Sequence, residues 1–207
     1  MRAGVRREQN TIDPRGRQRL APASAADPFV PGSPPPGTFR HSARAWRTGL
    51  PVTEDEFREG LRHWPSGVTI VTARSGERIH GMTVSAFTSV SLTPPLVLVC
   101  ADKASNTHPL IAEGGVFAAH ILAAGQEALS NRFASKKDED RRFEGVEWYE
   151  GVTGAPILRG VVAALDCRVV SAHDAGDHVI YVGLVEAIET QPAEPLVYHA
   201  GGYRPLG

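Results

Sequence analysis

Between His80 and Ser91 the chain reads His-Gly-Met-Thr-Val-Ser-Ala-Phe-Thr-Ser-Val-Ser, setting the small hydroxyls of Thr83, Ser85, Thr88, Ser89 and Ser91 among apolar residues at strand spacing. Gly81 has no Cβ and so allows a ligand close to the backbone. These residues suit a flat, polar-edged ligand lying against a sheet. A second stretch, from Asp102 to Thr107, leads into His108-Pro109-Leu110-Ile111, with Asn106 or Thr107 at the start of a short helix. Unpaired amides and the positive end of the helix dipole attract an anion there, which makes this the best phosphate site in the sequence. The competing use of Asn106 or Thr107 is as a helix cap alone. His173-Asp174 and Asp177-His178 put two imidazoles and two carboxylates within six residues, ligands able to hold zinc or iron. They flank a turn and lack a helical spacing such as His-Glu-x-x-His, so no metal is assigned. Taken alone, His63, His80, His108 and His120 read as packed or surface histidines.

Missing motifs narrow the chemistry further. Without a Gly-x-Ser-x-Gly elbow there is no basis for a hydrolytic triad. No glycine-rich dinucleotide fingerprint follows a strand, so a nicotinamide cofactor must be held in some way other than a Rossmann site.

The elements that must position these residues can be read from periodicity. Thr53-Glu54-Asp55-Glu56 has the form of a capping box, and Phe57, Leu61 and Trp64 then form one apolar helical face until Pro65-Ser66-Gly67 ends it. Strands are predicted at 68–73 and 78–84 as a hairpin through Ser75-Gly76. Pro94-Pro95 stops one strand and aims the next, and the apolar run 96–101 reads as a buried central strand. A helix at 108–113 closed by Gly114-Gly115, a strand at 116–122 and a helix at 126–133 with Leu129 and Phe133 on one face follow. The mixed-charge run 135–142 reads as a solvated loop. Long strands at 163–171 and 179–188 flank a tight turn, and 196–198 is a last short strand. About seven strands with three short helices and no βαβ alternation imply a mainly β fold, a closed or split antiparallel barrel.

Composition sets the outer bounds. The 207 residues, with 42% hydrophobic, can bury one substantial core. Residues 1–50 carry a formal charge of +6 and seven of the 16 prolines, and the remainder carries −7. The first 50 residues therefore read as a disordered Arg/Pro-rich arm, and residues 51–207 as the domain. The acidic body argues against nucleic acid as a main partner. Cys100 and Cys167 each lie in an apolar strand-like run and read as reduced thiols of a cytoplasmic protein, and no apolar run is long enough to cross a membrane.

His80-Gly81-Met82-Thr83-Val84-Ser85-Ala86-Phe87, Pro94-Pro95-Leu96, Ser105-Asn106-Thr107, Gly176-Asp177-His178 and Pro195-Leu196-Val197-Tyr198-His199 with Tyr203 resemble the flavin reductase family, in the family's order and over about Phe57 to Leu206. These are the NAD(P)H:flavin oxidoreductase components of two-component monooxygenases. The resemblance implies an FMN-binding split barrel, a homodimer whose partner subunit helps wall the flavin site, and a monooxygenase that receives reduced flavin. It implies flavin contacts, FMN or FAD, from His80, Gly81, Met82, Thr83, Ser85 and Ala86. Cys100, Ala101 and Asp102 would line the ribityl side, Asn106 and Thr107 would take the phosphate end, and Arg132 and Phe133 would close over it. His178 would orient the nicotinamide of NADH or NADPH, with Tyr198, His199, Ala200 and Gly201 alongside. The family often carries arginine where Asn106 stands, so this chain offers less positive charge there. Where the family has an aromatic followed by Arg-Gly this chain has Tyr198-His199-Ala200-Gly201, so the cationic contact is missing or is made by His199. The alternative is a non-catalytic or electron-carrying flavin-binding protein of the same fold.

Overall fold

Local pattern becomes structure first at the start of the domain. In the computed structural model, which describes residues 52–137 and 139–206, Thr53 caps helix α1 (Glu54–Arg62): its hydroxyl accepts from the Glu56 amide, and the Glu56 carboxylate accepts from the Thr53 amide at 2.8 Å. The arm assigned to residues 1–50 lies outside the described residues. Phe57, Leu61 and Trp64 are all exposed, so the apolar face of α1 has no cover from the described residues.

The chain continues through β1 (Ser66–Gly67), β2 (Thr69–Ser75), β3 (Arg78–Val84), β4 (Phe87–Ser91), β5 (Leu96–Asp102), α2 (Thr107–Gly114), β6 (Val116–Ile121) and α3 (Glu127–Ala134). After a 3-10 turn at Glu139–Arg141 come β7 (Trp148–Glu150), β8 (Pro156–Leu158), β9 (Ala163–Ala175), β10 (His178–Thr190), β11 (Val197–His199) and β12 (Gly202–Arg204). Seven strands form one antiparallel sheet in the order β3-β2-β6-β9-β10-β5-β4. β3 and β4 stand at opposite edges, yet only Ser85 and Ala86 separate them in the chain. The sheet must therefore curl until its edges meet, which makes a barrel split between β3 and β4. Bulges between Val182 and Gly183 and between Val185 and Ala187 in β10 supply part of that curvature. A Cβ at Gly183 would sit 2.6 Å from the Phe117 ring, so the bend depends on a residue without a side chain.

Two cores lie on the two faces of the sheet. Val71, Val99, Phe117, Cys167 and Tyr181 fill the barrel, while Ile70, Leu122, Phe133 and Leu158 pack outside it under α3 and β8. β2 and β6 are buried on both faces for this reason. β5 is not: Val97, Val99 and Ala101 point into the barrel, but Leu96, Leu98 and Cys100 stay half-exposed beside the sheet edge. β5 is paired on both sides, by β10 and β4. The full burial expected for 96–101 is corrected, because an apolar run alone cannot distinguish a doubly covered strand from one whose second face is left open. The small β1-β11-β12 sheet includes a strand, β12, that the sequence pattern did not reveal. Cys100 and Cys167 are unpaired and flank β10 on opposite sides. Two strand spacings, roughly 10 Å, exceed the reach of a disulfide.

His120 on β6 ties β2 and β8 together within the outer core. Its Nδ1–H donates to the Ile70 carbonyl at 3.0 Å, and its Nε2 accepts from the Leu158 amide at 3.0 Å. Both nitrogens are committed only in the neutral ring, and burial pushes the pKa down to about 4. The unfolded chain therefore takes up a proton first, near pH 6.5, and the stability present above that pH drains away as pH falls towards 4. At about 1.4 kcal/mol per unit the loss is about 3 kcal/mol. Urea denaturation of the wild type and of His120→Gln at pH 7 and pH 4.5 checks this: the pH dependence should shrink in the variant.

Candidate active site

The split brings β3, the end of β5 and the start of α2 together. His80, buried on β3, makes a 2.8 Å hydrogen bond through Nδ1 to the hydroxyl of Thr107, the first residue of α2. Helix capping falls to Ser105, whose hydroxyl accepts from the His108 amide at 3.2 Å, while the Asp102 carboxylate accepts from the Ala104 amide at 2.8 Å. Asn106 makes no side-chain cap. Its backbone is already helical, so its amide group points elsewhere and donates to the Glu139 carboxylate. Capping by Asn106 or Thr107 is corrected accordingly.

Glu139 belongs to the mixed-charge run, in which Lys136, Lys137, Asp140 and Arg141 are exposed as in a solvated loop, but Glu139 is half-buried and Arg142 is buried. Arg142 is buried, with Nη1 donating to the Gly81 carbonyl at 2.6 Å and Nη2 donating to the Ser135 carbonyl and lying 3.3 Å from Glu139. One cation thus folds the whole turn onto β3. His80 Nε2 is buried without a hydrogen-bond partner, 3.6 Å from the Glu139 carboxylate. Burial, and after it the Arg142 guanidinium, hold the His80 pKa below the ordinary imidazole value, against the pull of Glu139 and Asp140.

Along β3 from this cluster a cavity of about 430 Å³ opens, within the size range of small-molecule sites. Thr83 and Ser85 line it on one side, and Tyr198, Gly201 and Tyr203 on the other. The Thr83 hydroxyl donates to the Ser130 carbonyl at 2.7 Å, and the Tyr203 hydroxyl reaches the Ser130 hydroxyl at 2.9 Å and the Asn131 side-chain oxygen at 2.8 Å. The middle of α3 thereby ties the two walls together.

The pattern for a flavin reductase like domain matches residues 61–207, most of the domain that builds this cavity. The chain belongs to the flavin reductase-like family. It is 42% identical to the FMN reductase (NADH) SmoA of Agrobacterium fabrum over 147 residues, covering 71% of this chain and 83% of that protein. It is 41% identical to the reductase component of 4-hydroxyphenylacetate 3-monooxygenase from Thermus thermophilus, covering 74% of this chain and 97% of that protein. The structure of the NADH:FAD oxidoreductase SgcE6 of Streptomyces globisporus superposes with a TM-score of 0.72 at 35% identity, covering 76% of this chain and 96% of that one.

This flavin reductase-like chain gathers some of its sequence-predicted site residues and separates others. Thr83 and Ser85 share the cavity with Tyr198 and Gly201. Asn106, Thr107 and His80 meet Glu139 in a separate cluster at the start of α2, and none of them lines that cavity. The amide of Cys100 donates to the Ala86 carbonyl at 3.1 Å, extending the β4–β5 ladder beside the split. Met82 and Ala101 turn their side chains into the barrel core, leaving their backbones as their available contacts. The room at Gly81 is already used: a Cβ there would stand 2.8 Å from the Phe133 ring. Phe133 is fully buried against Gly81 and edge-on to Phe143, and Arg132 donates to the Glu144 carbonyl at 2.7 Å. Neither makes a contact at the α2 N-terminus; Glu139 and His80 occupy that place. His178 opens β10 opposite Asp102 and bonds to the Asp177 carboxylate at 2.8 Å, holding that carboxyl below its usual range. It does not line the cavity that Tyr198 lines. His199 pairs with Gly202 across the two-residue turn of Ala200 and Gly201, both at positive φ, and the Ala200 amide donates to the Arg62 carbonyl. Among the described residues no three of His, Cys, Asp and Glu come together as a metal site.

Proposed function

We propose that the protein oxidises NADH and reduces FMN or FAD, releasing the reduced flavin to a partner monooxygenase. The observation that carries this reading is the single cavity shared by Thr83 and Ser85, from the flavin-side stretch, and by Tyr198 and Gly201, from the nicotinamide-side stretch. The residues at the start of α2 fit a flavin phosphate in kind: Asn106 offers an amide donor already engaged with an anion, and the buried Nε2 of His80 has no partner. The relatives named for NADH-dependent flavin reduction favour NADH as reductant. A bound flavin supplies the hydride-accepting ring, which asks no acid or base of the protein for the transfer itself.

The protein's own contribution is then position. Backbone groups of Met82 and Thr83 and the Ser85 hydroxyl offer hydrogen bonds to a polar ring edge, and the Tyr198–Gly202 hairpin limits the opposite wall. His178 stands beside Asp102 on the adjoining strand, where it orients the nicotinamide rather than exchanging a proton with it. The residues from 51 onward act as this reductase domain. The reading extends to a cytoplasmic homodimer, supported by the uncovered apolar residues Phe57, Leu61 and Trp64 and by two cysteines too far apart to pair. Sedimentation at twice the 22.2 kDa chain mass checks the dimer.

NADH consumption measured with increasing free FMN or FAD tests the activity. Turnover that rises and saturates with added flavin supports the reductase; a permanently yellow protein indifferent to added flavin supports an electron carrier instead. His178→Ala should raise the KM for NADH about tenfold, as removing an orienting hydrogen bond does, with flavin affinity changed less than twofold. An unchanged NADH response would remove His178 from the site.

A further inference from the structure

The donors at the α2 N-terminus already hold an anion of the protein's own making. Glu139 accepts from the Asn106 amide, faces the unpartnered Nε2 of buried His80 at 3.6 Å, and lies 3.3 Å from the Arg142 guanidinium. The loop that carries it is fixed to β3 by the bonds from Arg142 to Gly81 and Ser135, so the carboxylate is held there and is not a drifting surface group. Its side chain is 20% exposed, which leaves a path by which it can be displaced. In the tautomer that leaves the proton on Nε2, the Thr107 hydroxyl donates to His80 Nδ1 and cannot turn to an incoming anion without breaking that bond.

We propose that Glu139 is an internal competitor for the flavin phosphate and sets the protein's selectivity among flavins by the charge each brings. The inference rests on the flavin reading above. A phosphate entering this end must take the Asn106 donor from Glu139 and then stand close to a displaced carboxylate. Riboflavin has no phosphate and meets neither cost. FMN carries a terminal monoester with a charge of about −1.5 to −2 at neutral pH, whereas each phosphate of FAD's pyrophosphate carries about one charge, so FMN is penalised most. Two charges a few ångströms apart near a protein surface interact strongly enough to shift binding by an order of magnitude or more.

Flavin fluorescence titration of the full-length protein with riboflavin, FMN and FAD gives the test. Glu139→Gln removes the charge; FMN affinity should rise about tenfold, FAD affinity less, and riboflavin affinity by less than twofold. Glu139→Asp keeps a counter-charge for Arg142 while drawing the carboxylate back from Asn106, so FMN should tighten by about threefold in a protein whose loop remains anchored. Wild-type protein that binds none of the three flavins overturns the flavin reading and this inference with it. Wild-type protein that binds them, with the FMN-to-riboflavin affinity ratio unmoved in both variants, overturns the role of Glu139 alone. A parallel loss of affinity for all three flavins overturns it too, by showing that Glu139 only fastens the loop.

Discussion

Arg142→Ala is expected to cost about 3–5 kcal/mol of stability and to weaken flavin binding at least tenfold, the scale seen when one partner of a buried, hydrogen-bonded charge pair is removed. The guanidinium, 5% exposed, holds three groups from two parts of the chain: the Gly81 carbonyl on β3, the Ser135 carbonyl, and the Glu139 carboxylate. Truncation leaves a buried carbonyl and a carboxylate without that partner and opens a space beneath the 135–142 turn. Phe143, next in the chain, packs edge-on against Phe133, which covers Gly81, so the damage reaches the backbone of the strand that faces the cavity. Arg142→Lys separates charge from geometry: a single ammonium keeps the counter-ion for Glu139 but cannot serve both carbonyls in the fixed fork of a guanidinium, so an intermediate loss of about 1–3 kcal/mol is expected. Urea denaturation with flavin titration measures both. A loss under about 1 kcal/mol for the alanine variant would show that the turn is held by something other than this residue.

What could be read without coordinates was whatever the chain states locally. The Thr53–Glu56 box, the β2–β3 hairpin with Gly76 at φ 58, and the left-handed Gly115 after α2 depend on neighbours a few positions away. The resemblance carried the fold and the family, and the match over residues 61–207 and the structural neighbours agree with both. What escaped depends on distant pairing. Arg142 meets the Gly81 carbonyl across 61 positions, and nothing in Asp-Glu-Asp-Arg-Arg marks one arginine as buried and its neighbour as exposed. Gly81 read as room for a ligand because a missing side chain does not say what fills the space; Phe133 of α3 fills it. β12 is three residues long, too short for alternation to register, and is recognised only through its pairing with β11. The Asn106 cap failed for a subtler reason: the helical backbone begins one residue earlier than the proline suggested, which passes the capping role to Ser105 and frees Asn106 for Glu139.

Gly114→Ala is expected to destabilise the protein by about 3 kcal/mol or more, while Gly115→Ala, one residue on, should cost only about 1 kcal/mol. The two glycines close the same helix for different reasons. Gly115 sits at φ 67 with open space around its missing Cβ, so alanine there meets only the left-handed backbone penalty. At Gly114 a Cβ would lie 1.8 Å from the carbonyl oxygen of Arg74, a backbone atom of β2 that cannot rotate away. The far end of α2 must then lift from the sheet. Because Thr107 at the other end of this eight-residue helix is bonded to His80, the shift is carried to the phosphate-end cluster, where Asn106 and Glu139 meet. Denaturant midpoints for the two variants, measured beside FMN affinity, separate these effects. Gly114→Ala should lose both stability and FMN binding, and Gly115→Ala should keep FMN binding within about twofold of wild type, since its penalty is confined to one turn of backbone. Equal costs at the two positions would mean that α2 is free to slide, and the placement of Thr107 against His80 would then need another anchor.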